Sequence, residues 1–469
     1  MLTFVDSRYP ARMEFMTSYE WHLHPQAEAL VDRLVDEAIS KSSELAEFSS
    51  RLATQTATRP QDWLDSVAGP VTVDELAAVG YQPIGYQPAD RAGLWRHPGA
   101  QLPAVIPAEH YELALRVDDI AALATSYARV RGDSTAFELE GSPLAGYRRV
   151  VLAEQNGVVL AGVERRSWAT GARPQTFQPG EARAAGQAWQ LLAERPRTLT
   201  GPAGIRAQLP AARAAVELVG PDLAASYFLR QERDYWQRHN SAGTLQHARQ
   251  DRLGLGWGNN DHHTFRSSRA AFAPLIGFLT LLGFRPRERF YAGAQAGWGA
   301  QVLEHPGCGG VIFADVDLTA DEVDLDFAQV ELAETGRYGT VGMWCALHGE
   351  SLLAAGMHHL EGQFSFDELT ASLAELGQPS MRPFSDYPYL RQAFTEAEWW
   401  PVPAARLAAL VAAGQLDPRR AAEIAEAGAA GSHLENLARR SGFKGFNQTN
   451  VSATMLATDP REYRRLGQD

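Results

Sequence analysis

With 469 residues, 45% of them apolar and 21% charged, the chain is long enough for two or three domains or one duplicated architecture, and too apolar for extensive disorder. Its net charge of −13 repels a phosphate backbone and no basic run offsets it, which excludes nucleic acid as a partner. Cys308 and Cys345 are the only cysteines and suit neither a disulfide framework nor a CxxC metal site; with no cationic leader and no apolar run of bilayer length, a cytoplasmic protein with no membrane partner is expected.

Residues Pro25 to Phe48 repeat apolar positions at helical spacing, and the two histidines before them, His22 and His24, read as exposed chain near a terminus. From Val71 the order is helix, Gly80, strand, His97-Pro98-Gly99, strand. It recurs as helix, Gly283, strand, His305-Pro306-Gly307, strand, a weak internal repeat that implies a duplicated α+β module. His97 and His305 head turns before proline and read as structural.

Glu109 to Ile120 alternates as a strand that runs into a helix. Arg148 to Gln155 and Val158 to Arg166 read as a hairpin joined by Asn156-Gly157. This βαββ stretch carries His110 on its first strand and Glu164 on its last; by itself Glu164 reads as a surface partner of Arg165 or Arg166. Ser167 to Gly180 is polar and rich in Pro and Gly, as a linker is, and Glu181 to Arg252 is helical, broken at prolines.

Asn260-Asp261-His262-His263-Thr264-Phe265-Arg266 reads as a short strand before an apolar helix. Its period of two puts His262, Thr264 and Arg266, or the complementary set, on one face, so a metal ligand and a cation share one cavity. Whether His262 or His263 faces inward is open. Asp315 to Gly336 reads as acidic, solvated connecting structure. Met357-His358-His359-Leu360-Glu361, with His348 and Glu350, is a rival metal constellation. Val402 to Arg440 is Ala/Leu-rich and reads as helical.

Two histidines and a carboxylate on separate strand ends suit a divalent iron site with open positions, and need no thiolate. A guanidinium four residues beyond His262 would hold a substrate carboxylate beside it. No GxGxxG, P-loop, HExxH or GxSxG occurs, which removes the usual support for dinucleotide, nucleotide, zinc-peptidase and serine-hydrolase readings.

Asn260 to Arg266 with Leu282-Gly283-Phe284-Arg285 and Glu304-His305-Pro306-Gly307 resembles the first half of the 2-oxoadipate dioxygenase/decarboxylase (hydroxyglutarate synthase) family, in the vicinal oxygen chelate superfamily. Ala108 to Leu113, Ser142-Pro143, Leu152 to Gln155 and Gly162 to Arg166 resemble its second half. The resemblance implies Fe(II) held by His110, Glu164 and His262, with Arg266 on the distal carboxylate of a 2-oxo acid. It also implies O2-dependent oxidative decarboxylation, such as 2-oxoadipate to 2-hydroxyglutarate with release of CO2. The second-half signature precedes the first-half one, so the halves are permuted or duplicated. One arrangement pairs them across the chain and leaves degenerate copies near Val71 to Ile106 and near Phe443 to Ser452, where Asn447 or Asn450 stands in a ligand-like place.

The expected fold is α+β: paired βαβββ modules forming a half-open barrel around a metal, with added helices. The expected divisions are an N-terminal helical segment (1–60), a module with His110 and Glu164 (61–170), a linker and helical region (171–252), a module with His262 (253–330) and a mostly helical C-terminal region (331–469). The partners are a small 2-oxo acid and O2, and a homo-oligomer is compatible. The alternatives are a glyoxalase-like isomerase or lyase, or an extradiol dioxygenase, on the same fold, and a non-catalytic binding or scaffold protein.

Overall fold

A computed structural model describes residues 20–84, 93–132, 136–291, 297–322, 324–447 and 458–463. Helix α1 (Pro25–Lys41) buries Ala27, Leu30, Val31, Leu34, Val35 and Ala38, the stripe that three- and four-residue spacing dictates. Helix α2 (Ser43–Thr56) starts where the Ser42 hydroxyl accepts from Leu45 N, satisfying an N–H that a helix start leaves bare.

Both helices pack against a sheet built from two consecutive βαβββ units. The first unit is β1 (Leu64–Gly69), α3 (Val73–Ala78), β2 (Gln82–Pro83), β3 (Trp95–Arg96) and β4 (Ala104–Pro107). The second is β5 (Tyr111–Arg116), α4 (Ile120–Arg131), β6 (Leu139–Glu140), β7 (Tyr147–Gln155) and β8 (Val158–Arg165). The strand order is β2-β3-β4-β1-β5-β8-β7-β6. Each unit's first strand pairs parallel with its last, and the two first strands meet antiparallel at the centre. Asn156 and Gly157 take φ of 53° and 73° between β7 and β8, the left-handed pair that a tight hairpin requires.

Three helices follow: α5 (Pro179–Ala193), α6 (Gly201–Gln237), which breaks at Gly220 before Pro221, and α7 (Ser241–Asp251). The βαβββ pattern then repeats. A third unit comprises β9 (Asn260–Arg266), α8 (Arg269–Leu281), β10 (Arg285–Tyr291), β11 (Trp298–Glu304) and β12 (Val311–Asp317). The fourth comprises β13 (His359–Gln363), the helix Phe366–Glu375, β14 (Ser385–Tyr387) and β15 (Leu390–Phe394). It closes, after an insertion holding the ribbon β16 (Trp399–Trp400) and β17 (Ala429–Ala430), with β18 (His433–Arg439). Their order, β10-β11-β12-β9-β13-β18-β15-β14, repeats that of the first sheet, with β9–β12 and β13–β18 parallel and β9–β13 antiparallel.

The fold is therefore α+β with paired βαβββ modules, and the second sheet curls as a half-open barrel around a buried polar cluster. Consecutive units pair with each other, so the unit carrying His262 does not pair across the chain with residues 61–170. Its partner is the stretch from 359 onward, where the described residues of 331–469 contribute six strands instead of a mainly helical region. Helices do form at Thr340–His348, Ala404–Ala412 and Pro418–Ala427. Asp315 and Asp317, placed by sequence in solvated connecting structure, are buried on β12.

The internal repeat is real in three dimensions. Gly80 and Gly283 have φ of 94° and 97°, and a Cβ at either would lie 2.5 Å from His97 Nε2 or 2.6 Å from His305 Nε2. Each histidine meets the aromatic after that glycine edge-on, Tyr81 at 5.5 Å and Phe284 at 5.2 Å. Each also accepts backbone N–H groups of its own turn through Nδ1, so both are structural.

Candidate metal centre

Strand β9 is buried from Asp261 to Arg266, and alternation divides its side chains between two faces. Phe265 stacks on Phe228 of α6 at 5.9 Å. His263 shares that outer face, with its Nδ1 against Val311 O and its Nε2 3.3 Å from Arg233 Nη1. His262, Thr264 and Arg266 therefore look into the half-barrel, and His263 looks out of it.

Four buried side chains converge there. His262, His359 and Glu361 of β13 and Glu435 of β18 each offer a ligand atom, all within 4.8 Å of one another. Glu361 Oε1 lies 2.8 Å from His262 Nε2 and 2.5 Å from His359 Nε2, and Glu435 Oε2 lies 3.6 Å from His359 Nε2. Neighbours hold these groups in place. Thr264 Oγ1 donates to Glu361 at 3.1 Å and Gln392 Nε2 to Glu435 at 2.8 Å. His262 Nδ1 meets Asp261 at 3.0 Å, and Arg439 grips Asp261 with two bonds of 2.9 Å. A carboxylate on Nδ1 fixes the tautomer that leaves the Nε2 lone pair toward the cluster.

Burial and the neighbouring Glu435 carboxylate push Glu361 well above the ordinary range, and burial pushes Glu435 up as well. Burial also pushes His262 and His359 down, toward the neutral ligand form. Glu361 Oε2 is buried and has no hydrogen-bond partner among the described residues. Two carboxylates and two neutral imidazoles in one dry site repel or ignore each other unless a cation lies between them. The residues present fit a divalent metal with nitrogen and oxygen ligands.

Arg266 sits farther along the same face, its side chain fully buried. Its guanidinium lies 5.7 Å from the Trp344 ring centroid and its Nε 3.9 Å from Asp315. Burial pushes Asp315 up to about 7 despite that guanidinium, and it helps to keep His348, His358 and His433 neutral. A buried cation among neutral histidines suits an incoming carboxylate.

Of the residues expected from sequence, the structure brings His262 and Arg266 to one inward face of β9. It places His110 and Glu164 in the first sheet, outside the group around His262. His110 is exposed in the bend before β5. Glu164 points to the helix side of β8, where its carboxylate accepts from Ile120 N at the start of α4 at 3.0 Å, from Arg148 at 2.6 Å and from Arg166. The simple reading of Glu164 as an arginine partner matches this, except that the group is buried.

The rival constellation supplies His359 and Glu361, whereas His348 bonds Ala430 O and Glu350 accepts from Ser268. Glu435 was missed. Its signal is the alternation of His433-Leu434-Glu435-Asn436-Leu437, hidden within a stretch whose Ala/Leu content reads as helix. Asn447 donates to Phe384 O at 3.1 Å, Asn450 lies outside the described residues, and His24 packs on His97 at 4.3 Å.

No family model and no curated protein sequence matches the chain. Among solved structures, a triple mutant of 4-hydroxymandelate synthase from Streptomyces coelicolor is similar at 13% identity over 85% of this chain and 99% of that one, with a TM-score of 0.26. YdcJ of Shigella flexneri, which includes a DUF1338 domain, is similar at 12% identity over 55% of this chain and 73% of that one, TM-score 0.25. A Mn(II)-bound glyoxalase from Novosphingobium aromaticivorans gives 9% identity over 86% of each chain, TM-score 0.19. The strand order itself, with parallel closure of each βαβββ unit and antiparallel contact between units, makes the modules vicinal oxygen chelate-like.

Proposed function

We propose that this chain is a non-haem Fe(II) dioxygenase that oxidatively decarboxylates a 2-oxo acid bearing a second carboxylate, with 2-oxoadipate to 2-hydroxyglutarate and CO2 as the model reaction. The observation that carries the reading is the shared face of β9: His262 in the metal group and Arg266 four residues on, both buried and facing inward. Four residues of strand span about 13 Å, and the arginine side chain covers part of that, so the gap matches a short dicarboxylic acid.

His262, His359 and Glu435 would hold the ion, with Glu361 as a fourth ligand or a partner of Glu435. Fe(II) bound there would supply open positions for the 2-oxo acid and O2 and would pass electrons to O2, the oxidant of the decarboxylation. The chain's own residues do the rest. Arg266 fixes the far carboxylate and so the register of the substrate. Asp261 holds His262 in orientation, and Phe313 and Phe446, within 4.7 and 4.9 Å of the His262 ring, keep water from that side. The test is anaerobic loading with Fe(II), then addition of 2-oxoadipate under O2. Stoichiometric O2 uptake and CO2 release support the proposal, and an Fe(II)-loaded protein that consumes no O2 with any dicarboxylic 2-oxo acid defeats it.

The presence of four ligand side chains instead of three favours one second reading, a metal-dependent isomerase or lyase in which one glutamate moves a proton. That enzyme would turn over without consuming O2.

A further inference from the structure

A cavity of about 270 Å3 lies between the two sheets on the outer side of β9. Its walls come from the C-terminal ends of β5 and β8, the start of α4, the second half of α6 and the turn before β12. Six arginines line it, Arg116, Arg148, Arg165, Arg166, Arg230 and Arg233, against three carboxylates, Asp118, Asp119 and Glu164. In a chain of net charge −13 this is a local reversal of sign inside a concave, low-dielectric wall, which concentrates field on whatever enters.

The carboxylates do not use up the guanidinium groups. Arg165 is matched by Asp65 behind the wall, Arg230 and Arg233 share Asp118, with Asp234 also on Arg230, and Arg148 and Arg166 share Glu164. Arg116 has neither an ion pair nor a side-chain hydrogen bond among the described residues. Arg233 is 7% exposed, and its Nε is buried without a hydrogen-bond partner among the described residues. Enclosing a guanidinium without an anion of its own is costly, and a bound anion beside Arg116 would supply one.

We propose that this cavity binds a small, multiply charged anion of metabolite size, carrying phosphate or carboxylate groups, at a site separate from the metal centre. Arg116, at the end of β5, is its primary contact, with Arg166 and Arg230 closing on either side. The size suits a ligand at the small end of the range for protein pockets. The floor of the cavity includes Asn260, two residues before His262, so the ligand would sit behind the metal-bearing strand and not in front of it.

The test is calorimetric titration of the full-length protein with citrate and, separately, with pyrophosphate. At least one should bind at one per chain, and which one binds identifies carboxylate or phosphate as the group recognised. Arg116→Gln should weaken that binding at least tenfold, whereas Arg266→Gln, on the inward face of β9, should leave it within twofold. Ser226→Glu, which places a carboxylate in the cavity from α6, should abolish binding while the far-ultraviolet spectrum stays that of the parent, so the proposal is testable even if Arg116→Gln fails to fold. The proposal is overturned if neither anion binds at millimolar concentration, if binding survives both cavity substitutions, or if it is lost with Arg266→Gln.

Discussion

The two eight-stranded sheets share a strand order, but among the described residues only the second holds a candidate metal centre. Their registers align residue by residue. Glu361 pairs with Glu435 across β13 and β18, and Ala114 pairs with Ala161 across β5 and β8. His262 lies beside Glu361, and Ser66 pairs with Ala114. One further feature fixes the alignment. The residue before each of these β9 and β1 positions is an aspartate gripped by an arginine at the end of the partner unit's last strand, Asp261 by Arg439 at 2.9 Å and Asp65 by Arg165 at 2.6 and 2.7 Å. The four ligand positions His262, His359, Glu361 and Glu435 thus correspond to Ser66, Glu112, Ala114 and Ala161.

In the first sheet Glu112 is taken up by Arg149, and the concave face is filled instead of left for a ligand. The chain leaving β8 folds back so that Trp168 lies over the Arg165 guanidinium at 3.8 Å and Ala172 packs on Ala114, Tyr147 and Val163. The scaffold bond between aspartate and arginine is thus present in both copies, while the ligands are present in one. With no such ligand group among its described residues, the concave face of the first sheet is covered by the polar linker.

The largest expected effect separates the two sheets outright. His262→Ala or Glu435→Ala should remove bound metal and lower turnover by about a thousandfold or more, as loss of a ligand to a catalytic ion does. His110→Ala and Glu164→Gln should leave metal content unchanged when it is measured by elemental analysis. Arg266→Ala should keep the metal and raise KM by roughly a hundredfold, the loss of a buried charge-assisted pair; an unchanged KM for a dicarboxylic 2-oxo acid would show that the arginine does not face the substrate.

The matched aspartates sharpen the comparison. Asp65→Asn and Asp261→Asn should each lower stability by about 3–5 kcal/mol, because each strands a buried guanidinium. Only Asp261→Asn should also weaken metal binding, by about 10–100-fold, since only there does the aspartate orient a ligand. Denaturation midpoints and metal titration of both variants decide it. Trp168→Ala should cost about 2–3 kcal/mol by opening the plugged face and leave metal affinity at the parental value.

Much of the second half-barrel was legible. Histidine, threonine and arginine at period two on a short strand before an apolar helix place His262 and Arg266 together without any structure, and the repeated His-Pro-Gly turn announces the duplication. What sequence could not supply is which copies pair. His110 and Glu164 carry a plausible spacing because the first sheet has the same architecture as the second, yet spacing alone does not tell an inward position from an outward one: Val163 and Arg165 face the concavity, and Glu164 between them faces α4. Glu435 escaped for a different reason. Its strand is separated from β15 by an insertion of helices, whose alanine and leucine content carries the helical pattern into the strand that follows.

The smallest expected effect concerns acid stability of the second half. His348 is pushed down to about 3 by burial, and its Nε2 lies 3.0 Å from Ala430 O. Its unfolded pKa is near 6.5, so between these values the unfolded chain takes up a proton that the folded chain refuses. Stability from this group is complete above about pH 6.5 and is lost as pH falls toward 3. Asp315, pushed up to about 7, acts in the opposite sense, because its folded carboxyl holds a proton that the unfolded chain releases; its penalty grows as pH rises from about 4 to 7. The two trends oppose each other in the parent, so the diagnostic quantity is the difference between parent and His348→Gln. Urea midpoints measured at pH 7.5 and pH 5 should show the parent losing on the order of 1 kcal/mol more than the variant, and equal losses would mean that His348 is protonated in the folded chain.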